Sequence, residues 1–184
     1  MKLILIRHGA VDYKEVVSRG FIGQGIDLAK LSPAGIKQAE DLSCDSRLAG
    51  AQVIFSSPYT RTLQTAAILS KNTGIPITIL TDLCEWIPDL LFQLKAKDRE
   101  SALQELKLFH GEYMNECIYY WESLSALGKR AFTCLFPYVD QLEKAIVVTH
   151  AMVIQQFVFG SIENCGIVET EFTMDSKWNG YINK

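Results

Sequence analysis

The feature that most limits the fold of this chain is a set of short, unbroken aliphatic runs: LILI at 3–6, QVIFSS at 52–57, ITIL at 77–80 and AIVVTH at 145–150. A strand with one wet face alternates apolar and polar residues. These runs do not alternate, so both of their faces must be covered, as in a parallel sheet. Helical patterns lie between them. Ser32 and Pro33 form an N-cap and first-turn pair, and Ile36, Ala39 and Leu42 then recur at helical spacing in a helix expected to be spent by Gly50. A second helix is expected from about Tyr59, turning Leu63, Ala66, Ala67 and Leu69 inward and meeting Gly74 at a left-handed C-terminal cap. This alternation predicts an α/β fold, a three-layer α/β/α sandwich around a mostly parallel sheet.

The stretch from about 98 to 142 breaks the alternation. It reads as helical throughout, with Leu103, Leu106, Phe109 and Tyr113 on one stripe, His110 packed beside it and a second segment after Gly128. We read it as a helical, cap-like insertion of the kind that often covers a site. The last forty or so residues return to strand-like text, IVETEFTM and WNGYIN, expected to complete one edge of the sheet. At 184 residues with no repeat, low-complexity tract or linker, residues 1–184 are expected to form a single domain.

Charge and cysteine usage narrow the partners. A formal charge of -3 gives no basic field, so no nucleic acid and no membrane surface is expected as a partner. Lys2 and four apolar residues before Arg7 are too short for a signal peptide, and a soluble, cytoplasmic protein is the expectation. The five cysteines are widely spaced and never form a CxxC pair. They read as reduced thiols, with no metal site and no cofactor.

Ligands of an open parallel sheet bind beyond the carboxyl ends of its strands. The first run ends in Arg7-His8-Gly9, the last ends in Thr149-His150-Ala151, and the second leads through Ser56-Ser57-Pro58 into a helix whose first turn holds Arg61. Two of the three histidines therefore fall at strand ends. Guanidinium groups match the oxygens of a phosphoryl group by bidentate hydrogen bonds, which suits Arg7 and Arg61 to a phosphate clamp. A neutral imidazole with one nitrogen tied to a carbonyl leaves the other free to attack phosphorus, the role expected of His8. His150 would donate to the phosphoryl oxygens, and Gly9 would let the backbone approach them. Ser57 reads as a cap for the following helix, with a bond to the imidazole as the alternative, and Gln64 and Thr65 read as residues fixing that helix to the sheet.

These segments, LIRHG, LSPAGIKQAE, SSPYTRTLQTA, LCEW and VVTHAMVI, occur in the order seen in the histidine phosphatase superfamily, which is phosphoglycerate mutase-like, and the chain resembles it over nearly its whole length. The resemblance implies that His8 becomes phosphorylated, that Arg7, Arg61 and His150 surround the phosphate, and that Glu85 of Leu83-Cys84-Glu85 is the proton donor and acceptor. Asp82 and Asp89 are the competing carboxylates. Where the family commonly carries a hydroxyl and an asparagine after the first histidine, this chain has Val11 and Lys14. The expected function is metal-independent hydrolysis of a phosphate monoester, with a phosphorylated small molecule as partner. A mutase using the same intermediate and a phosphate-binding protein without turnover are the rival readings. Neither the natural substrate nor the oligomeric state is written in a motif.

Overall fold

The computed structural model describes residues 1–95 and 98–180. Strand β1 (Lys2–Arg7) is followed by a short ladder between β2 (Val11–Asp12) and β3 (Lys30–Leu31), and then by β4 (Val53–Ser56), β5 (Ile77–Ile79), β6 (Lys144–Thr149) and β7 (Ile167–Glu171). The main sheet has the order β5-β4-β6-β1-β7, parallel throughout except for the edge strand β7, which runs antiparallel to β1. Helices α1 (Lys14–Ser18), α2 (Pro33–Leu42), α3 (Thr60–Thr73), α4 (Arg99–Leu108), α5 (Leu124–Thr133) and α6 (Ala151–Phe157) complete the chain.

The unbroken aliphatic runs do cover two faces. Ile4, Ile6, Ile54, Ile146 and Val148 meet Leu42 of α2 and Ala66 and Leu69 of α3. Leu3, Leu5, Phe55, Ala145 and Val147 point the other way, onto Leu127, Ala131 and Phe132 of α5 and Val153 and Ile154 of α6. Residues 3–6 of β1 are fully buried, and each such side chain contributes about 1.5–3 kcal/mol of transfer free energy. The helices that follow β1 and β4 thus lie on one face, and the helix that follows β6, between them, lies on the other. Chains that part in this way leave a crevice at the strand ends.

Helix ends follow the sequence in two places. Ser32 accepts the Gly35 N–H at the start of α2, and Gly74 closes α3 at φ 75°. Helix α2 stops at Leu42, ahead of Gly50 as expected, and Asp45 then caps a separate 3-10 turn at Ser46–Leu48. Elsewhere the expectations need correction. Residues 98–142 are not helical throughout: α4 ends before His110 (φ 52°) and Gly111 (φ 79°), and residues 112–123 form no helix. The Glu105 carboxylate holds that stretch instead, accepting from the Ile118 and Tyr119 N–H groups and the Trp121 indole. His110 is exposed. Helix α5 begins at Leu124 with Gly128 inside it, because the Trp178 ring fills the place a Cβ would take. Trp178, Asn179 and Gly180 add no strand; Asn179 and Gly180 bond to Gln155 and Gln156 of α6, and the rest of WNGYIN lies outside the described residues. Among the described residues no helix is long and apolar enough to cross a membrane.

Candidate active site

Register places the two histidines side by side. Arg7 pairs with Thr149 across the parallel β1–β6 ladder, so His8 and His150 are the first residues past the ends of neighbouring strands. The His8 N–H donates to the Thr149 carbonyl at 3.0 Å, and the rings lie 5.2 Å apart, edge to face. On the other side of β6, the Ser57 N–H donates to the Val148 carbonyl at 3.1 Å, and α3 then begins with Arg61 buried in its first turn. Four of the predicted residues, Arg7, His8, Arg61 and His150, are thereby gathered in the crevice.

The tautomer of His8 follows from its partners. Nδ1 is 2.8 Å from the Gly9 carbonyl, which can only accept, so Nδ1 carries the proton. Nε2 then holds a lone pair, and it accepts from Arg61 Nε at 3.3 Å. Burial, opposed by the bond to Gly9 and reinforced by the charges of Arg61 and Arg7, lowers the His8 pKa to about 4. His150 is lowered as well, first by its complete burial and then by Arg61. Both rings are neutral at pH 7.

Two polar atoms point to a missing partner. Among the described side chains, His150 Nδ1 and Arg7 Nε are the buried nitrogens without a hydrogen-bond acceptor or donor. Such groups cost about 1–3 kcal/mol each unless something fills the site. Arg7 otherwise donates from Nη1 to the Ile162 carbonyl at 2.8 Å. The crevice therefore holds two unpartnered buried nitrogens beside the Arg7 and Arg61 guanidiniums, a setting an oxyanion fits.

Ser57 does more than the expected cap. Its hydroxyl lies 2.8 Å from His150 Nε2 and only 3.4 Å from the Tyr59 N–H, so the imidazole is the closer partner. Thr65 accepts the Gly9 N–H at 3.1 Å, and Gln64 accepts the Leu31 N–H at 2.6 Å; both tie α3 to the loops around the crevice. Gly9 has a structural role beside the expected one. Its N–H is held by Thr65 and its carbonyl fixes His8, while a Cβ there would stand 2.6 Å from the Gly35 carbonyl. The small side chain is needed for packing on α2.

The sequence reading missed Asp27. It lies in a 3-10 turn (Gly23–Leu28), is buried, and accepts from Arg61 Nη1 at 3.0 Å. Nothing periodic marks it; its only signal is a carboxylate in a short glycine-bearing stretch ahead of LSPAG. Tyr59 was missed too, with Arg61 stacked 4.9 Å over its ring.

Of the three carboxylates, Glu85 is half-buried and lies where the Arg61 charge and the Met152 N–H act on it. Burial nevertheless dominates and raises its pKa, favouring the protonated acid. Asp89 is occupied, accepting the N–H groups of Leu91, Gln93 and Leu94. Asp82 is exposed, as is Lys14 at the start of α1. Beside Asp27 and Tyr59 opens a narrow cleft with a cavity volume of about 20 Å³, lined also by Gln24, Ile87, Phe92 and Arg99.

The sheet, the crevice and the sequence together define one class: the chain belongs to the histidine phosphatase superfamily (branch 1), whose family model matches residues 3–167. Its fold is the phosphoglycerate mutase-like α/β fold. Among solved structures it is similar to mycobacterial glucosyl-3-phosphoglycerate phosphatase, with TM-score 0.69 and 20% identity over 91% of this chain and 88% of that one. The alpha-ribazole phosphatase from Shigella flexneri aligns with TM-score 0.69 and 16% identity, over 98% of this chain and 96% of the other. Bacillus stearothermophilus YhfR gives TM-score 0.69 and 21% identity, over 97% and 94%. No curated protein matches the chain in sequence.

Proposed function

We propose that this protein is a phosphatase that hydrolyses a phosphate monoester through a phosphohistidine on His8, without a metal. The observation that carries the reading is the His8 tautomer: Nδ1–H is committed to Gly9, which leaves the unprotonated Nε2, held only by a 3.3 Å bond from Arg61 Nε, as the nucleophilic atom in a crevice edged by two arginines. Arg7 and Arg61 supply the positive charge that the phosphoryl oxygens need, so the scheme calls for no cation.

In the first step His8 Nε2 attacks phosphorus, the N–P bond forms as the ester P–O bond breaks, and Glu85 gives its proton to the departing alkoxide. In the second, water attacks phosphorus, Glu85 takes its proton, the N–P bond breaks and inorganic phosphate leaves. The raised pKa of Glu85 suits the acid role in the first step, and the resulting carboxylate suits the base role in the second. If the Ser57 hydroxyl donates to His150 Nε2, then His150 Nδ1 carries a proton toward the phosphoryl oxygens. The names of the similar structures, a glucosyl-3-phosphoglycerate phosphatase and an alpha-ribazole phosphatase, favour sugar-bearing esters as test substrates.

The test is turnover of para-nitrophenyl phosphate and a panel of sugar phosphates in EDTA, comparing wild type with His8→Ala. Wild type is expected to turn over at least one ester, and His8→Ala to lose at least about 10⁴-fold while remaining folded. Retained activity in His8→Ala, or activity abolished by EDTA and restored by a metal, would overturn the proposal.

A further inference from the structure

We propose that Arg130, with Glu122, is a positioning residue that holds the segment carrying Glu85 against the crevice. The inference deepens the proposed phosphatase function and rests on reading Glu85 as its general acid.

The segment has little structure of its own. A single 3-10 turn (Thr81–Leu83) ends at Cys84, and residues 84–95 form no helix or strand. Its backbone carbonyls need partners from elsewhere. All four from Asp82 to Glu85 find them on side chains. Arg130 Nη1 donates to the Asp82 and Cys84 carbonyls at 2.5 and 2.8 Å, and Nη2 donates to the Glu85 carbonyl at 3.1 Å. Thr149, the residue before His150, donates to the Leu83 carbonyl at 2.7 Å. The acid is thus anchored from the sheet by Thr149 and from the insertion by Arg130.

Arg130 is itself fixed. Its Nε and Nη2 donate to the Glu122 carboxylate at 2.6 and 2.8 Å, so all five of its N–H groups are used. Glu122 also grips the next residues: its carbonyl accepts the Trp86 indole at 2.6 Å, and its N–H donates to the Ile87 carbonyl at 2.9 Å. A planar guanidinium can meet three carbonyls and a carboxylate in one rigid fork, whereas an ammonium has three donors in a different geometry. Arg130→Lys should therefore keep the charge and lose the positioning.

A half-buried arginine that only stabilised the fold would slow every substrate alike. Positioning of a general acid has a different signature, because an ester with a good leaving group hardly needs the proton. The experiment compares kcat/KM, which reports the phosphorylation step, for an aryl phosphate and an alkyl phosphate in wild type, Arg130→Lys, Glu85→Gln and the double variant. Expected for Arg130→Lys is a loss of about 10- to 10²-fold on the alkyl ester and less than about 3-fold on the aryl ester. In the Glu85→Gln background the same change should cause no further selective loss. Glu122→Gln, which keeps the shape and removes the charge, should show the same selectivity and stands in if Arg130→Lys does not fold.

Equal losses on both esters, or a selective loss that persists without Glu85, would overturn the positioning role while leaving the acid reading intact. A Glu85→Gln variant that loses both esters equally would instead remove Glu85 as the acid, and the proposal with it.

Discussion

Arg61 and Asp27 form an ion pair at 3.0 Å with both side chains almost wholly enclosed. The carboxylate neutralises the same guanidinium that donates from Nε to His8 Nε2. It keeps Arg61 aimed at the crevice, yet it must also repel any dianion that arrives there. The pair therefore sets a balance between a stable empty site and a strongly phosphate-binding one.

Asp27→Asn is expected to tilt that balance. The free protein should lose about 2 kcal/mol or more, since removing one charge of a buried pair leaves the other uncompensated. Inorganic phosphate should bind roughly fivefold more tightly, because one repulsive charge is gone. Thermal unfolding with and without phosphate measures both effects. An equal phosphate-induced shift in wild type and variant would mean that Asp27 does not face the bound anion.

Ser57→Ala tests the contact between the hydroxyl and the second histidine. Loss of the 2.8 Å partner leaves His150 Nε2 buried and unsatisfied, a cost of about 1–3 kcal/mol, and frees the ring to adopt the other tautomer. Turnover should fall by about 10- to 10²-fold in kcat with a smaller change in KM, as expected for a donor that acts on the transition state. Ser56→Ala is the control, since the Ser56 hydroxyl bonds only to the Ser57 carbonyl among the contacts described. Comparable kinetic losses in the two variants would argue that packing, not the imidazole contact, is responsible.

What could be read in the sequence was whatever repeats or whatever ends a buried strand. The aliphatic runs fixed the two-sided sheet, and the cationic residues directly after them, Arg7-His8 and His150, marked the crevice because parallel register brings strand ends together. Arg61 was legible from the same logic one helical turn on. Contacts made by single side chains across long separations were not. Asp27 reaches Arg61, and Arg130 reaches residues 82–85, from positions whose own neighbourhoods read as ordinary turn and helix surface. The insertion failed for a related reason: Glu105 satisfies the backbone of residues 118–119 with its side chain, and such bonds leave no periodic trace. Ser57 was ambiguous because a hydroxyl at a strand end serves equally well as a cap or as a partner to a ring.

Stability should depend on pH through the histidines. In the unfolded chain the imidazole of His8 takes a proton near 6.5, whereas in the folded protein it does so only near 4. Between those values the unfolded state binds more protons. The contribution is therefore fully present above about pH 6.5, declines as the pH falls and is gone at about pH 4, a span of about 3 kcal/mol for this one group. His150, lowered in the same direction by burial, adds to it. Urea unfolding at pH 7.5 and pH 5 should show a smaller acid loss for His8→Asn than for wild type. An identical loss would mean that His8 is already protonated in the folded protein at pH 5.

The rate should carry the opposite limb through Glu85. Phosphorylation of the free enzyme needs His8 without its extra proton and Glu85 with one. With His8 at about 4 and Glu85 raised by burial, kcat/KM for an alkyl ester should climb through about pH 4 and fall again as Glu85 ionises above its ordinary value. The substrate's own second ionisation, near pH 6, shapes the same profile in every variant. The difference between variants isolates the protein's part. Glu85→Gln is expected to lower kcat/KM by about 10²-fold and to remove the part of the alkaline limb that belongs to the enzyme, leaving only the substrate's. A profile of unchanged shape at reduced height would mean that the alkaline limb never belonged to Glu85, and the acid would have to be sought among the other groups that line the crevice.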